Sequence, residues 1–206
     1  MESALKKTLH AEEQGRPDVV EARAQWRIWQ KSASSCHLVF IDETWAKTNM
    51  VRTYGRAPRG KRLVDRVPNG HWTTTTFIAA LRCDCLTAPM VTDGPMNGEI
   101  FRVYIEHFLI PTLKPGDIVI MDNLSSHKVA GVREALEEVD ATALYLPPYS
   151  PDLNPIEQVF SKFKALLRKA AERTVEAVWR RTGEIMDAYP PQECANYLAN
   201  SGYAPN

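Results

Sequence analysis

The chain lacks any apolar run near the ~20 residues that a membrane span requires. Runs such as Leu38 to Ile41 and Ile118 to Met121 cover only a few positions. It also lacks an excess of charge: 25 Lys and Arg stand against 25 Asp and Glu, which excludes a protein that coats nucleic acid by bulk charge and an acidic solvating chain. Any nucleic-acid contact must come from local patches. The first thirty residues mix Lys6, Lys7, Glu12, Glu13, Arg16 and Asp18 with no apolar stretch, so a secretory signal is excluded and a cytoplasmic location is expected. Cysteine is scarce, at positions 36, 83, 85 and 194, without a C-x-x-C pair or a histidine cluster at zinc-finger spacing. Reduced, partly buried thiols are the plain reading, and Cys83-Asp84-Cys85 alone is a weak case for a soft metal. Repeats and low-complexity tracts are missing too, so the organisation must be read from changes of hydrophobic period.

What is present suits one sizeable core: 206 residues, 44% of them apolar. Residues 1–35 are polar and weakly helical and read as a connector, with Val20, Ala24 and Trp26 to Trp29 suggesting a short helix. His37 to Asp42 is a strand-like run, and Thr73 to Leu81 is another, within a set of three early strands. Asn97 caps a helical segment whose apolar positions Ile100, Val103, Tyr104, Phe108 and Leu109 recur until Pro111. Asp117 to Asp122 reads as a buried strand, Val129 to Val139 as an amphipathic helix and Thr142 to Leu146 as a short strand stopped by Pro147-Pro148. A proline-rich loop then leads into a clean helical stripe, Ile156, Val159, Phe160, Phe163, Leu166, Leu167 and Ala170, and a last helix over Thr174 to Ala188. Strands first, then alternating helix and strand, predict an α/β ribonuclease-H-like fold with a mixed five-stranded sheet flanked by helices.

Three acidic residues stand at element boundaries. Alternation puts Asp42 on the face of Phe40 with Glu43 turned away, Asp122 ends the fourth strand on the face of Ile120, and Glu157 lies in the first turn of the long helix. If the first and fourth strands are neighbours, the three converge at one end of the sheet. Carboxylates ~4 Å apart repel by roughly 4 kcal/mol at an effective dielectric of 20, so such a group raises its members' pKa values or demands a cation. Oxygen-only ligands select Mg²⁺ or Mn²⁺. Two such ions fit metal-assisted phosphoryl transfer. Each residue also has a plain structural reading: Asp42 and Asp122 as turn-starting residues, and Glu157 as the third helical position of a capping box opened by Asn154 and Pro155.

The wording of the sequence narrows these alternatives. Leu146-Pro147-Pro148-Tyr149-Ser150-Pro151-Asp152-Leu153-Asn154-Pro155-Ile156-Glu157 resembles the third-carboxylate motif of the mariner superfamily of DDE transposases, in particular its bacterial insertion-sequence branch. Val39-Phe40-Ile41-Asp42-Glu43-Thr44 resembles the first-carboxylate strand, and Val119-Ile120-Met121-Asp122-Asn123 with Ser126-His127-Lys128 the second. Thirty-four residues separate Asp122 from Glu157, which is the family's interval, and the resemblance covers about residues 5–190. It implies that Asp42, Asp122 and Glu157 are catalytic and bind two divalent ions, Mg²⁺ or Mn²⁺. It further implies cleavage of DNA at transposon ends and strand transfer into TA-containing target sites, by a homodimer in a synaptic complex, nucleoid-associated when active.

Members of the family usually carry an N-terminal helix-turn-helix region that recognises terminal inverted repeats, and no segment of that size precedes Leu38. The expected organisation is therefore a connector at 1–35, a catalytic domain at 36–190 and a C-terminal tail at 191–206, with the DNA-recognition half encoded separately or joined by frameshifting. A nuclease without strand transfer and an idle fragment that regulates a full-length partner are the competing readings.

Charge is locally uneven. Between positions 47 and 66, seven basic residues, Lys47, Arg52, Arg56, Arg59, Lys61, Arg62 and Arg66, face Asp65 alone, a stretch suited to gripping phosphates or to being a solvated loop. On the helix of Glu157, Ser161, Lys164 and Arg168 form a stripe beside the apolar one, so Lys164 and Arg168 are candidate DNA contacts. Asn123 and His127 are candidate pocket residues. Trp45 and Trp72 suit either base stacking or, more plainly, the core.

Overall fold

The computed structural model describes residues 11–52, 54–64, 66–124, 127 and 129–203. Five strands, β1 (Leu38–Lys47), β2 (Thr74–Leu81), β3 (Leu86–Asp93), β4 (Ile118–Met121) and β5 (Thr142–Tyr145), form one sheet in the order β3-β2-β1-β4-β5. β1, β2 and β3 pair antiparallel, whereas β1–β4 and β4–β5 pair parallel. The two parallel links need crossovers. These are supplied by the helices α2 (Gly98–Tyr104) and α3 (Val132–Glu137), and the sheet has the mixed order expected of the ribonuclease-H-like class.

The central strands bury both faces, so two cores form. Leu38, Phe40, Phe77, Ala79, Leu81 and Ile120 face a layer built by α4 (Ile156–Ala170), α5 (Val175–Met186) and α6 (Pro191–Asn200). Val39, Ile41, Ile78, Ala80, Val119 and Met121 face Phe101, Tyr104, Ile105 and Leu109 on the other side. The helical stripe read from the sequence is the buried face of α4: Ile156, Val159, Phe160, Phe163 and Leu167. Phe77 stacks on Phe163 at 4.5 Å between centroids and meets Phe160 edge-on. The end of the sheet remote from the site is tied by a buried fork, Arg82 Nη1 and Nη2 donating to Asp117 Oδ2 and Oδ1 at 2.6 and 3.1 Å.

Several expectations need correction. The segment from Asn97 to Pro111 is not one α-helix: Asn97 does cap α2, its side chain accepting from Ile100 N at 2.9 Å, but the helix widens into a π turn at Ile105–Leu109 before Pro111. α3 is shorter than the periodicity suggested because Gly131, at φ 90°, starts it. Residues 1–35 are not merely a connector. Residues 1–10 lie outside the described part, but α1 (Pro17–Trp29) packs on the body through Val19, Arg23 and Trp26. Residues 191–203 are not a tail. α6 buries Cys194 and Leu198, and Tyr203, fully enclosed, accepts a hydrogen bond from Trp26 Nε1 at 2.8 Å and donates one to Leu153 O at 2.8 Å. Among the described residues, no helix is long and apolar enough to cross a membrane.

Candidate active site

Strand register alone brings two of the three acidic residues side by side. Phe40 pairs with Ile120 in the parallel β1–β4 ladder, and two residues further along each strand stand Asp42 and Asp122. Neighbouring strands lie ~4.8 Å apart, and the shared alternation turns both side chains to the face covered by α4. That helix presents Glu157 from its first turn. Asp42, Asp122 and Glu157 all line one cleft of about 420 Å³, whose remaining wall includes Asn123, Leu124, Asn154 and the Pro147–Pro151 loop.

The carboxylates are held from behind. Asp42 Oδ1 accepts from the backbone N of Glu43 at 2.8 Å, and its Oδ2 accepts from Asn154 Nδ2 at 2.8 Å. Asp122 Oδ1 accepts from the backbone N of Leu124 at 3.2 Å and lies 2.6 Å from His127 Nδ1. Across the ring, His127 Nε2 meets Glu43 Oε2 at 3.0 Å, and the imidazole stacks on Phe101 at 4.3 Å.

Electrostatics follow from this crowding. Burial, and then the charges of Asp122, Glu157 and Glu43, hold the Asp42 carboxyl well above the usual carboxylate range. Burial opposes protonation of His127, yet Asp122 and Glu43 outweigh it and raise the imidazole to about 10. Among the described residues no three acidic, His or Cys side chains stand at metal-ligand spacing. The donor set fits a hard divalent cation: oxygen only, open to solvent at Glu157, with the first carboxylate destabilised in its charged form.

Sequence-derived assignments divide accordingly. Asn123 lines the cleft; His127 does not, being fully enclosed beneath Asp122. Lys164 lies close enough to Glu157 and Asp42 to feel both: burial lowers its ammonium pKa, Glu157 and Asp42 oppose that, and Arg168 adds to it. Lys164 Nζ sits 4.6 Å over the Trp45 ring. Trp45 and Trp72 are exposed and not core residues, and Lys47 lies over both, at 4.8 and 6.0 Å. Arg56, Arg59, Lys61 and Arg62 fall on the long exposed connection between β1 and β2, outside the cleft wall. Its tip is a turn at Arg59-Gly60, with Gly60 at φ 81°. Ser126, Lys128 and Asp65 lie outside the described residues.

Two residues acquire roles that the sequence did not show. Asn154 is not the helix cap: Pro155 occupies that position without a side-chain bond, and the Asn154 amide turns to Asp42 instead. Glu43 does point away from Asp42, but it reaches His127 and through it the second carboxylate. The Asp-Glu dipeptide within a strand was the available signal, since one member faces each side of the sheet.

Removing the first negative charge should stabilise the metal-free chain. With its folded pKa raised, Asp42 costs stability progressively as pH rises above the unfolded carboxylate value. Asp42→Asn in EDTA is therefore expected to raise Tm by roughly 2–6 °C near pH 7, with the gap closing below pH ~4. Millimolar Mg²⁺ should raise wild-type Tm and leave the variant unmoved. Thermal melts across pH check both; equal Tm values at all pH would contradict the crowding.

A family profile described as DDE superfamily endonuclease matches residues 37–178, which include all three carboxylates. Among curated proteins no match was found. Solved structures superpose well at low identity. The Mos1 mariner paired-end complex with Mg gives a TM-score of 0.77 at 18% identity, covering 98% of this chain and 64% of that one. The Mos1 strand transfer complex gives 0.75 at 18%, covering 98% and 63%. The isolated catalytic domain of Mos1 mariner transposase gives 0.64 at 15%, covering 96% and 92%. The chain thus spans under two thirds of the transposase chains in the DNA complexes, and at such identity the likeness establishes the ribonuclease-H-like fold. The profile match, extending over more than half of the sequence, establishes more: the protein belongs to the DDE superfamily of endonucleases.

Proposed function

We propose that the chain is the catalytic portion of a transposase of the bacterial insertion-sequence branch of the mariner superfamily, cutting DNA at transposon ends and joining the freed 3′-hydroxyl to target DNA. The observation that carries this is the convergence of Asp42, Asp122 and Glu157 on one cleft, with Asp42 held against ionisation by burial and then by its neighbours' charges. Family membership supports it, as does the likeness to Mos1 complexes described as paired-end and strand-transfer assemblies.

The three carboxylates would hold a pair of Mg²⁺ or Mn²⁺ ions, which when bound supply activation of the attacking oxygen and stabilisation of the leaving one. The chain's own groups do the positioning. Asn154 and the Glu43 amide fix Asp42, leaving its remaining lone pairs toward the cleft. The Leu124 amide and His127 do the same for Asp122. Prolines 147, 148, 151 and 155 stiffen the loop leading to Glu157. In the first step a water oxygen forms a bond to phosphorus and the P–O3′ bond breaks, leaving a 3′-hydroxyl and a 5′-phosphate. In the second that hydroxyl attacks a target phosphodiester, whose own 3′-oxygen leaves, so no external energy is required.

Lys164, Arg168 and Lys47, with the exposed rings of Trp45 and Trp72, form a cationic and aromatic rim suited to phosphate and base contact. The basic β1–β2 connection with Arg56, Arg59, Lys61 and Arg62 adds a second DNA-facing element. Following the family resemblance, the functional assembly is assigned as a homodimer holding paired transposon ends, with end recognition by a helix-turn-helix half. On this reading the working protein meets its DNA in the cytoplasm.

Two outcomes check this reading. With pre-cleaved ends and Mn²⁺, wild type should give strand-transfer products and Glu157→Gln should fall by at least ~10³-fold; hydrolysis without joining would make the chain a nuclease only. Lys164→Ala and Arg168→Ala should each weaken DNA binding and lower the salt slope by about 1, with Mn²⁺ binding intact. Unchanged slopes in fluorescence anisotropy titrations would remove the helix from the DNA path.

A further inference from the structure

The loop from Pro147 to Pro155 forms much of the cleft wall, yet its local structure is limited to a turn at Pro148-Tyr149 and a 3₁₀ turn, Pro151–Leu153. Tyr149 within it adopts φ 56°, a left-handed conformation that costs a non-glycine residue on the order of 1 kcal/mol. Something outside the loop must hold it. That support comes from α1. Arg23 Nη1 donates to Ser150 Oγ at 2.7 Å and to Asp152 Oδ1 at 2.9 Å, while Nη2 donates to Asp152 Oδ2 at 2.7 Å. Ser150 Oγ passes the contact on to Pro148 O at 3.0 Å. Just before α1, Gln14 Nε2 donates to Tyr149 O at 2.6 Å. One turn along α1, Trp26 holds the Tyr203 hydroxyl that donates to Leu153 O.

Arg23 is 9% exposed and is absent from the cleft wall. Its stability contribution is an insufficient account of it. A nearly buried ion pair repays little more than its own desolvation, and well-packed apolar side chains would do as well. What a fork-to-carboxylate pair adds is direction, since two parallel hydrogen bonds fix both distance and orientation. Here a third, to a hydroxyl, pins the loop at two residues, Ser150 and Asp152, immediately before Asn154 and Glu157. Asn154 is the side chain that orients Asp42, so the clamp reaches two of the three carboxylates through one loop.

We infer that Arg23 is a positioning residue of the active site, acting through Ser150 and Asp152 to set the loop that aims Asn154 and Glu157. α1 is then a working part of the catalytic unit. The inference rests on the proposed metal-dependent chemistry and adds the device that keeps its third carboxylate in place. Arg27, 3.8 Å from Asp152 Oδ2, stands at the margin of the same contact and is exposed.

The test uses the full chain with Arg23→Ala, Arg23→Lys, Asp152→Asn and the double variant Arg23→Ala/Asp152→Asn. Asp152 is half exposed, so its variant should fold even if the arginine variant does not. Mn²⁺ affinity is read by paramagnetic resonance titration and strand transfer on pre-cleaved ends by kcat and KM, all at least 15 °C below each variant's Tm. The clamp predicts that Arg23→Ala and Asp152→Asn each weaken Mn²⁺ binding by about 5- to 10-fold and lower kcat by roughly 10- to 100-fold, with KM for DNA within about 2-fold. The double variant should be no worse than the more impaired single one, and Arg23→Lys should recover part of the loss. Lowered Tm with wild-type Mn²⁺ affinity and kcat would show a scaffold contact only and overturn the inference, as would additive losses in the double variant. A wild-type chain that binds no Mn²⁺ would instead overturn the reading of the site itself, and the clamp's role with it.

Discussion

Negative charge gathered where it repels itself is the constraint on which the site depends. Two parallel strands carry aspartates side by side just past their shared ladder, and a helix laid across them adds a glutamate. Burial and mutual repulsion push Asp42 toward its neutral form. Folding alone gains nothing from such an arrangement; a divalent cation gains a prepared set of oxygen ligands. Much of the surrounding structure can be understood as holding these carboxylates together against that repulsion. Backbone amides secure Asp42 and Asp122, Asn154 secures Asp42, and a buried imidazole compressed between Phe101 and two acids secures Asp122.

The same logic explains the uneven distribution of rigidity. The central strands need no special support, because both of their faces are buried. The third carboxylate enters through a loop, and there the support is explicit: four prolines restrict the chain, and α1 and Tyr203 hold it from behind. Segments at the two ends of the sequence, α1 and α6, thus meet over the loop that leads to Glu157. Around the cleft mouth the character changes to exposed aromatic and basic side chains, Trp45, Trp72, Lys47 and Lys164, as a polyanionic substrate would require.

What the sequence disclosed tracks the strength of each local signal. Asp42 and Asp122 were legible because strand alternation has period 2 and admits only two orientations, and α4 because its apolar stripe is long. Asn154 was misread because Asn-Pro-x-Glu satisfies the capping rules whether or not the amide caps; only the nearness of Asp42, 112 residues away, decides it. α1 and α6 were undervalued because each docks through a few positions, among them the charged Arg23, and a sparse pattern does not stand out from a polar background. Trp45 and Trp72 were expected inside on size alone. β1 runs on beyond Phe40, the last residue to pair with β4, and leaves Trp45 paired with Thr76 on one side only. His127 was seen as a pocket residue because it follows Asp122 closely, but sequence distance cannot show that its ring lies beneath the carboxylate and not beside it.

Anomalous diffraction from crystals grown with Mn²⁺ tests the central claim most directly. The account predicts two peaks ~3.5–4 Å apart in the cleft lined by Asp42, Asp122 and Glu157. Peaks lodged away from this cleft, or an empty cleft at saturating Mn²⁺ with the three carboxylates turned apart, would contradict it.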